Sequence, residues 1–262
     1  MKMATTWQSL PPRRGALAGL DLAAPSAWAE RLRIDRERAA RYQSPGLTAI
    51  TEAVETRARD AGADAVVLSG STARGCRTRV SDLDYHVIGT SSLAVADLPV
   101  DIDLYADEVD RFQAKLRKGD DFAHWSVWYG CVLFDSGVVR EAAAYVAEKD
   151  AWPDPERKLR QAQGALDFAE QMVASGDYGA ALEQVRGALS LTARWLLLSH
   201  DVFPLARDEL SGQLEQLGQV ELARDLRRSI RERPSGDYLR EAVVSARSIS
   251  EGRVLPSGRV AA

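Results

Sequence analysis

The sequence predicts an α+β protein in which a small mixed sheet with flanking helices is followed by a bundle of helices. The short apolar or alternating runs that are typical of strands all end before residue 135, and every later segment with apolar periodicity has helical spacing. Hydrophobic residues make up 45% of the chain and charged residues 27%, a globular balance that argues against a disordered or fibrous protein.

The predicted strands occupy residues 65–68, 82–88, 100–105 and 131–134. The first is a short β-branched and apolar run, and the second and third alternate polar and apolar residues. Helices are predicted in this half at residues 28–43, 47–61 and 108–116. Helical spacing then recurs at residues 156–174, 178–199, 207–217, 220–231 and 238–248.

The change of pattern near Trp152 and Pro153 predicts a boundary between two domains. A chain of 262 residues is long enough for two domains with separate cores. We expect a mobile N-terminal segment at residues 1–25, a sheet domain at 26–151, a helical domain at 152–251 and a mobile tail at 252–262.

Charge and cysteine content restrict the partners and the compartment. With 34 basic and 38 acidic residues, the net charge of -4 creates no global field toward nucleic acid or an anionic membrane. Cys76 and Cys131 have neither metal-ligand nor disulfide-framework spacing, which favours the reducing cytoplasm. No segment reaches the roughly 18 uninterrupted apolar residues of a spanning helix, and Arg13 and Arg14 lie where a signal peptide would need an apolar core. We therefore expect a soluble cytoplasmic protein without a membrane partner.

Acidic residues alternate along the second and third predicted strands. One apolar residue separates Asp82 from Asp84, so both project from the same face of the strand. At about 4 Å and an effective dielectric of about 20, two carboxylates repel by about 4 kcal/mol, which a divalent cation would turn into attraction. Asp101 and Asp103 offer a third carboxylate from another strand. Such oxygen ligands suit Mg²⁺ or Mn²⁺.

A turn that can hold an anion follows the first predicted strand. Gly70 allows close approach of the backbone to a ligand, and Ser71 with the amide groups after it can donate to phosphate oxygens. Arg74, in the basic loop that follows, can neutralise further phosphate charge. The anion-binding turn and the paired acids therefore lie close together in the sequence.

These two features together resemble the signature of the polymerase-β-like nucleotidyltransferase superfamily. Residues 68–71 are Leu-Ser-Gly-Ser, and ten residues later Asp82-Leu83-Asp84 supplies the spaced acidic pair. Residues 71–75 together with residues 81–84 look most like the branch that contains the kanamycin and streptomycin nucleotidyltransferases and the minimal nucleotidyltransferases. The resemblance covers roughly residues 64 to 106, and the helical domain resembles the second domain of the kanamycin-type enzymes only in architecture.

The resemblance implies the nucleotidyltransferase fold for the first domain and a metal-dependent transferase activity. A nucleoside monophosphate, expected to be AMP from ATP, would pass to a hydroxyl of an acceptor with release of pyrophosphate, aided by Mg²⁺ or Mn²⁺. The expected acceptor is a small molecule such as an aminoglycoside. The implied site residues are Asp82, Asp84 and Asp101 for catalysis, Gly70, Ser71 and Arg74 for the nucleotide, and Asp82, Asp84, Asp101 and Asp103 for the metal.

The position of the third acid is ambiguous in the sequence. In the superfamily this acid lies between apolar residues on a later strand, and both Asp101 and Asp103 have apolar neighbours. We favour Asp101, because the superfamily's acid usually leaves several strand residues before the next turn, and we expect Asp103 to assist from the same face.

A second functional class stays open: a toxin–antitoxin type nucleotidyltransferase that modifies RNA or a partner protein, with a helical domain similar to HEPN domains. Arg194 and His200 fit the Arg-x4-6-His motif of ribonucleolytic HEPN domains. Six residues apart, they lie about 600° around a helix and so do not share a face unless the helix ends between them. An acceptor-side or structural role is favoured over nuclease activity.

Simpler interpretations apply to several residues. Gly70 and Ser71 can form an ordinary turn, and the paired aspartates can cap or solvate an edge strand, but the combined pattern favours the metal site. His86 shares the face of Asp82 and Asp84, and a structural or solvent-facing role is favoured for it. The arginines near residues 224–231 alternate with acids and are expected to form a salt-bridged surface.

Overall fold

The structure, a computed structural model, describes residues 25–78, 81–232 and 235–252. The chain divides into two compact units between Pro153 and Asp154, which we call the sheet unit and the helical unit. The mobile ends predicted at residues 1–25 and 252–262 lie, apart from Pro25 and Gly252, outside the described residues.

The sheet unit contains the predicted strands and more helices than the sequence patterns indicate. Its elements are α1 (Pro25–Arg41), α2 (Pro45–Asp60), β1 (Ala65–Leu68), α3 (Gly70–Ala73), β2 (Leu83–Ile88), β3 (Ile102–Asp107), α4 (Val109–Arg117), α5 (Asp121–Trp128), β4 (Cys131–Asp135) and α6 (Val138–Lys149). The α+β class is confirmed, and each strand lies within two residues of its predicted limits. Helix α6 is a difference from the prediction.

The four strands form one mixed sheet with the order β3-β2-β1-β4. Strand β1 is antiparallel to both of its neighbours, and β2 and β3 are parallel. The register of the parallel pair sets Asp84 opposite Asp103. All four residues of β1 are buried, as its β-branched and apolar sequence predicts for a central strand.

The two faces of β2 pack against different helices because side chains alternate along a strand. On one face the buried Tyr85 hydroxyl shares a hydrogen bond of 2.7 Å with Thr51 of α2. On the other face the His86 ring lies against Phe112 of α4 and Phe122 of α5, with ring centroids 5.3 and 5.1 Å away. Asp84 projects from this second face, before the helices cover it.

Helix α1 is fixed to the beginning of β4 by buried charged groups. Arg31 and Asp35 form an ion pair of 2.5 Å, and Asp35 accepts a hydrogen bond of 3.0 Å from the Val132 amide. The Gly130 carbonyl accepts hydrogen bonds from Arg31 at 3.0 Å and from Arg38 at 2.9 Å. These contacts, which we call the α1 clamp, satisfy backbone groups at the turn from α5 into β4.

The helical unit consists of helices in its described residues. They are α7 (Pro155–Ser175), α8 (Tyr178–Ser199), α9 (Arg207–Gln216), α10 (Val220–Arg231) and α11 (Gly236–Ser250). Side-chain caps begin three of these helices, since Asp154 accepts from the Glu156 amide, Asp177 from the Ala180 amide and Ser235 from the Tyr238 amide. Gly176, with φ of 79°, ends α7 in the left-handed conformation.

The helical unit has its own hydrophobic core around α8. Leu189 and Leu197 of α8 are buried together with a leucine from each of the last three helices, Leu210, Leu226 and Leu239. Among the described helices, none is both long enough and apolar enough to cross a membrane.

The α1 clamp makes a prediction about stability. Asp35→Ala leaves Arg31 buried without its counter-ion, and we expect the free energy of unfolding to fall by about 3–5 kcal/mol. Urea denaturation followed by tryptophan fluorescence measures this. The matched control is Arg33→Ala on the same helix, because the 55% exposed Arg33 side chain pairs only at the surface with Glu30 and Glu37. The control should cost less than about 1 kcal/mol, and equal effects of the two changes would contradict a structural role of the clamp.

Candidate functional site

Three aspartates of the sheet unit come together at the start of the parallel strand pair. Asp82, Asp84 and Asp103 each contribute a carboxylate oxygen, and these oxygens lie within 4.8 Å of one another. Asp82 directly precedes β2, and the register sets Asp84 of β2 beside Asp103 of β3. Asp82 and Asp103 are exposed and Asp84 is half-buried. We call this group the acid cluster.

Asp101 is not part of the acid cluster, although the sequence analysis favours it as the third acid. Strand β3 begins only at Ile102, and Asp101 contributes its carbonyl oxygen, which accepts a hydrogen bond of 3.0 Å from the Leu83 amide. Asp103 takes the place beside Asp84, and Asp101 lies one side-chain repeat further back, about 6.6 Å along a strand. Alternation shows that the two residues share a face, but it contains no information about strand register.

Gly70 lies directly against the acid cluster. Its φ of 61° is in the left-handed region, and a β-carbon at this position would overlap the Asp84 carboxylate. The turn is also tied to β2 by the backbone, since the Ser69 amide donates to the Asp84 carbonyl at 2.8 Å. Only glycine allows the turn and the carboxylate to occupy this space together.

The remaining residues of the predicted anion-binding loop follow Gly70 around the turn. Ser71 is half-buried in α3, and its carbonyl accepts a hydrogen bond of 3.0 Å from the Cys76 amide. The Arg74 guanidinium lies 5.6 Å from the centre of the Tyr129 ring. Arg77 donates to the Ser81 carbonyl at 2.7 Å and so closes the loop toward the acids.

His86 is a buried structural histidine and not a member of the acid cluster. Its ring nitrogens lie 2.9 Å from Ser126 Oγ and 3.1 Å from Asp107 Oδ2. Burial lowers the pKa of His86, although the hydrogen bond and charge of Asp107 oppose this shift. Burial raises the pKa of Asp107, but hydrogen bonds from His86 and Lys115 outweigh it and leave the pKa lowered. This network fixes β2 and β3 to α4 and α5.

Tyr105 is a residue near the cluster that the sequence analysis missed. It follows Asp103 by two residues on the same face of β3, and its hydroxyl donates to Asp103 Oδ2 at 3.3 Å. Its side chain is 43% exposed, and its ring lies 4.6 Å from the Phe122 ring. The alternation of residues 103, 105 and 107 is the sequence signal that points to it.

The helical unit uses its candidate residues in local contacts. Helix α8 extends past Arg194 to Ser199, and Arg194 donates to the Leu205 carbonyl at 3.2 Å. His200 follows α8 directly, with Nδ1 2.9 Å from the Leu196 carbonyl. The salt-bridged surface expected at α10 is present, since Arg227 pairs with Glu215 and Arg228 with Glu232.

The sheet unit contains two cavities. One of about 570 Å³ is lined by residues of α1, α2 and β4, among them Arg36, Arg59 and Phe134. The other, of about 470 Å³, is lined by the residues from Val95 to Ile102 other than Asp97, before and at the start of β3. Neither is lined by Asp82, Asp84 or Asp103, two of which are exposed.

Comparison with protein-family models and with curated proteins finds no match to this chain. Among solved structures, the chain is similar to the crystal structure of a nucleotidyltransferase-like protein from Exiguobacterium sibiricum 255-15. The TM-score is 0.40 and the sequence identity 15%, over 75% of this chain and 71% of the other. A likeness of this size carries no conclusion about activity, so the function proposed below rests on the acid cluster and the glycine turn.

The contact of Gly70 with Asp84 makes a prediction about metal binding. Gly70→Ala introduces strain at positive φ and displaces the Asp84 carboxylate, so we expect a large loss of Mn²⁺ affinity. Electron paramagnetic resonance of free Mn²⁺ gives the dissociation constant. The matched control is Gly62→Ala, because Gly62 has φ of 76° but a β-carbon there would meet no atom within 4 Å. The Gly62→Ala control should lose stability and keep its Mn²⁺ affinity. Equal losses of Mn²⁺ affinity in both variants would show that backbone strain alone causes the loss.

Proposed function

We propose that this chain is a divalent-metal-dependent nucleotidyltransferase, which transfers a nucleoside monophosphate to a hydroxyl group of an acceptor and releases pyrophosphate. One observation carries the proposal: the acid cluster lies directly against a turn whose glycine has no room for a side chain. A cation held by the acids and a phosphate held by the turn would thus be neighbours. That is the arrangement needed to bind a metal–nucleotide complex.

The acid cluster fits Mg²⁺ or Mn²⁺ by its chemistry. All three donors are carboxylate oxygens, which hard divalent cations prefer, and the 4.8 Å limit on their separation allows one ion to contact several of them. The exposure of Asp82 and Asp103 leaves room for phosphate and water ligands. We propose Asp82, Asp84 and Asp103 as the ligands, and Asp103 replaces Asp101 as the third acid.

The glycine turn fits a polyphosphate. The Asp84 carboxylate fills the side of Gly70 where a β-carbon would lie, and the amide groups that follow in the turn, together with the Ser71 hydroxyl, are donors for phosphate oxygens. Arg74 follows the turn and supplies positive charge. We propose that these residues bind the β and γ phosphates of a nucleoside triphosphate, with ATP as the expected nucleotide.

The reaction follows from this placement of the residues. The acceptor hydroxyl oxygen forms a bond to the α-phosphorus, the bond from the α-phosphorus to the bridging oxygen of pyrophosphate breaks, and the hydroxyl proton leaves to a base. Asp82, Asp84 and Asp103 would hold the cation, and the turn would orient pyrophosphate as the leaving group. When bound, the cation supplies Lewis-acid stabilisation of the charge that develops on the phosphate oxygens.

For the acceptor we propose a small hydroxyl-bearing molecule such as an aminoglycoside. The alternative, modification of RNA or a protein in a toxin–antitoxin pair, gains no specific support from the described contacts of Arg194 and His200, which bond to neighbouring backbone. A cytoplasmic location is proposed because Cys76 and Cys131 are free thiols.

Removal of two charges tests the proposed function. Asp82→Asn with Asp84→Asn should reduce pyrophosphate release from ATP by about a hundredfold or more, because the cation loses two ligands. Aminoglycosides serve as first acceptors. Thermal melting tests binding without turnover, since ATP with Mn²⁺ at a hundred times the dissociation constant adds about 2.7 kcal/mol to wild-type stability.

The double variant should show no such stabilisation and should melt, without ligand, at the wild-type temperature or above, because it lacks the repulsion between the two acids. Stabilisation of the variant equal to that of wild type would contradict the proposed metal site.

A second comparison separates the two candidate third acids. Asp103→Asn should weaken Mn²⁺ binding and abolish most turnover, because Asp103 is the member of the acid cluster. Asp101→Asn is the matched control, because it also removes one carboxylate charge and Asp101 lies two residues before Asp103 in the chain. The Mn²⁺ dissociation constants of both variants decide the assignment. Loss of binding in Asp101→Asn alone would restore Asp101 as the third ligand.

A further inference from the structure

Tyr105 lies beside the acid cluster on strand β3. It lies on β3 two residues after Asp103, so both side chains project from the same face of the sheet. At this point the sheet passes from the open acid cluster to the part covered by α4 and α5, where Asp107 is buried. Tyr105 is therefore at the border between the solvent-exposed site and the packed interior.

The ring of Tyr105 is held from the interior side. It packs against Phe122 with centroids 4.6 Å apart, and Phe122 in turn lies 5.1 Å from His86. His86 is fixed by its hydrogen bonds to Ser126 and Asp107. This continuous packing restricts the ring and determines where the hydroxyl group points.

The Asp103 carboxylate has fewer packing contacts that fix its position than the Asp84 carboxylate has. In the described part of the chain β3 is an edge strand, which pairs only with β2, and Asp103 is exposed. The Asp84 carboxylate, by contrast, packs against the Gly70 backbone. The described hydrogen bond of the Asp103 carboxylate comes from the Tyr105 hydroxyl, 3.3 Å from Oδ2.

We propose that Tyr105 is a positioning residue of the metal site, which fixes the rotation of the Asp103 carboxylate relative to Asp82 and Asp84. The proposal rests on the proposed function, because it concerns the same cation. A ligand carboxylate that is free to rotate loses entropy when it binds a cation, and a hydrogen bond from outside the ligand shell removes part of that loss. The hydroxyl can do this while it leaves the other carboxylate oxygen to the cation.

The test is Tyr105→Phe in the full chain, which removes the hydroxyl and keeps the ring against Phe122. Because partners of metal ligands typically change metal affinity by about 10–100-fold, we expect Mn²⁺ to bind about tenfold more weakly in the absence of nucleotide. Paramagnetic resonance of free Mn²⁺ gives the dissociation constant without any need for turnover. The melting temperature without metal should stay at the wild-type value, because the exposed hydroxyl is no part of the core.

The matched control is Tyr145→Phe, a half-buried tyrosine of α6 that should keep wild-type Mn²⁺ affinity. If Tyr105→Phe binds Mn²⁺ as wild type does while Asp103→Asn does not, the inference is overturned and the proposed function stands. If wild type itself binds no Mn²⁺, the proposed function fails and the inference fails with it. Weakening in Tyr105→Phe alone, with the control unchanged, supports the positioning role.

Discussion

The close approach of the Asp84 carboxylate to the Gly70 backbone is the constraint on which the site depends. The two residues are brought together because β1 and β2 are antiparallel neighbours, with Leu68 opposite Tyr85, so that the turn after β1 lies beside the start of β2. The space between them admits no β-carbon. The Asp84 carboxylate and the backbone of the turn thus become neighbours as a direct result of sheet pairing.

The buried aspartates of the sheet unit have a different environment from the aspartates of the acid cluster. Asp35 and Asp107 are buried, and each is matched by cations and hydrogen bonds, as a buried carboxylate requires. Asp82 and Asp103 are exposed and share a small space with Asp84, where a divalent cation can satisfy all three. The α1 clamp also reaches toward the turn, since Cys131, which accepts from Arg38 at 3.0 Å, lies 3.9 Å from the Ala73 carbonyl. One set of aspartates therefore fixes the helices and strands to one another, and a different set forms the acid cluster.

Local patterns in the sequence predict most of the elements but not the contacts that join them. The β-branched run of β1 and the helical spacing of α7 to α11 are short-range signals, and the structure has those elements close to the predicted limits. The α1 clamp joins residues almost a hundred positions apart, and no periodicity indicates it. Spacing alone could not decide between Asp101 and Asp103 for the same reason, because the register of parallel strands is set by packing between strands.

The three acids come from different parts of the chain, which explains why sequence spacing identifies two of them and does not identify the third. Asp82 and Asp84 belong to one strand, and their distance from Gly70 along the chain is fixed by the loop between β1 and β2. Asp103 comes from an edge strand that the chain reaches after a further loop, and its place depends on register with β2 and on the ring of Tyr105. A one-residue change in that register would point Asp103 to the opposite face, on which the buried Tyr85 hydroxyl bonds to Thr51 of α2. The side chains that fix β3 against α5 are therefore as much a part of the site as the acids, although they contact no reacting atom.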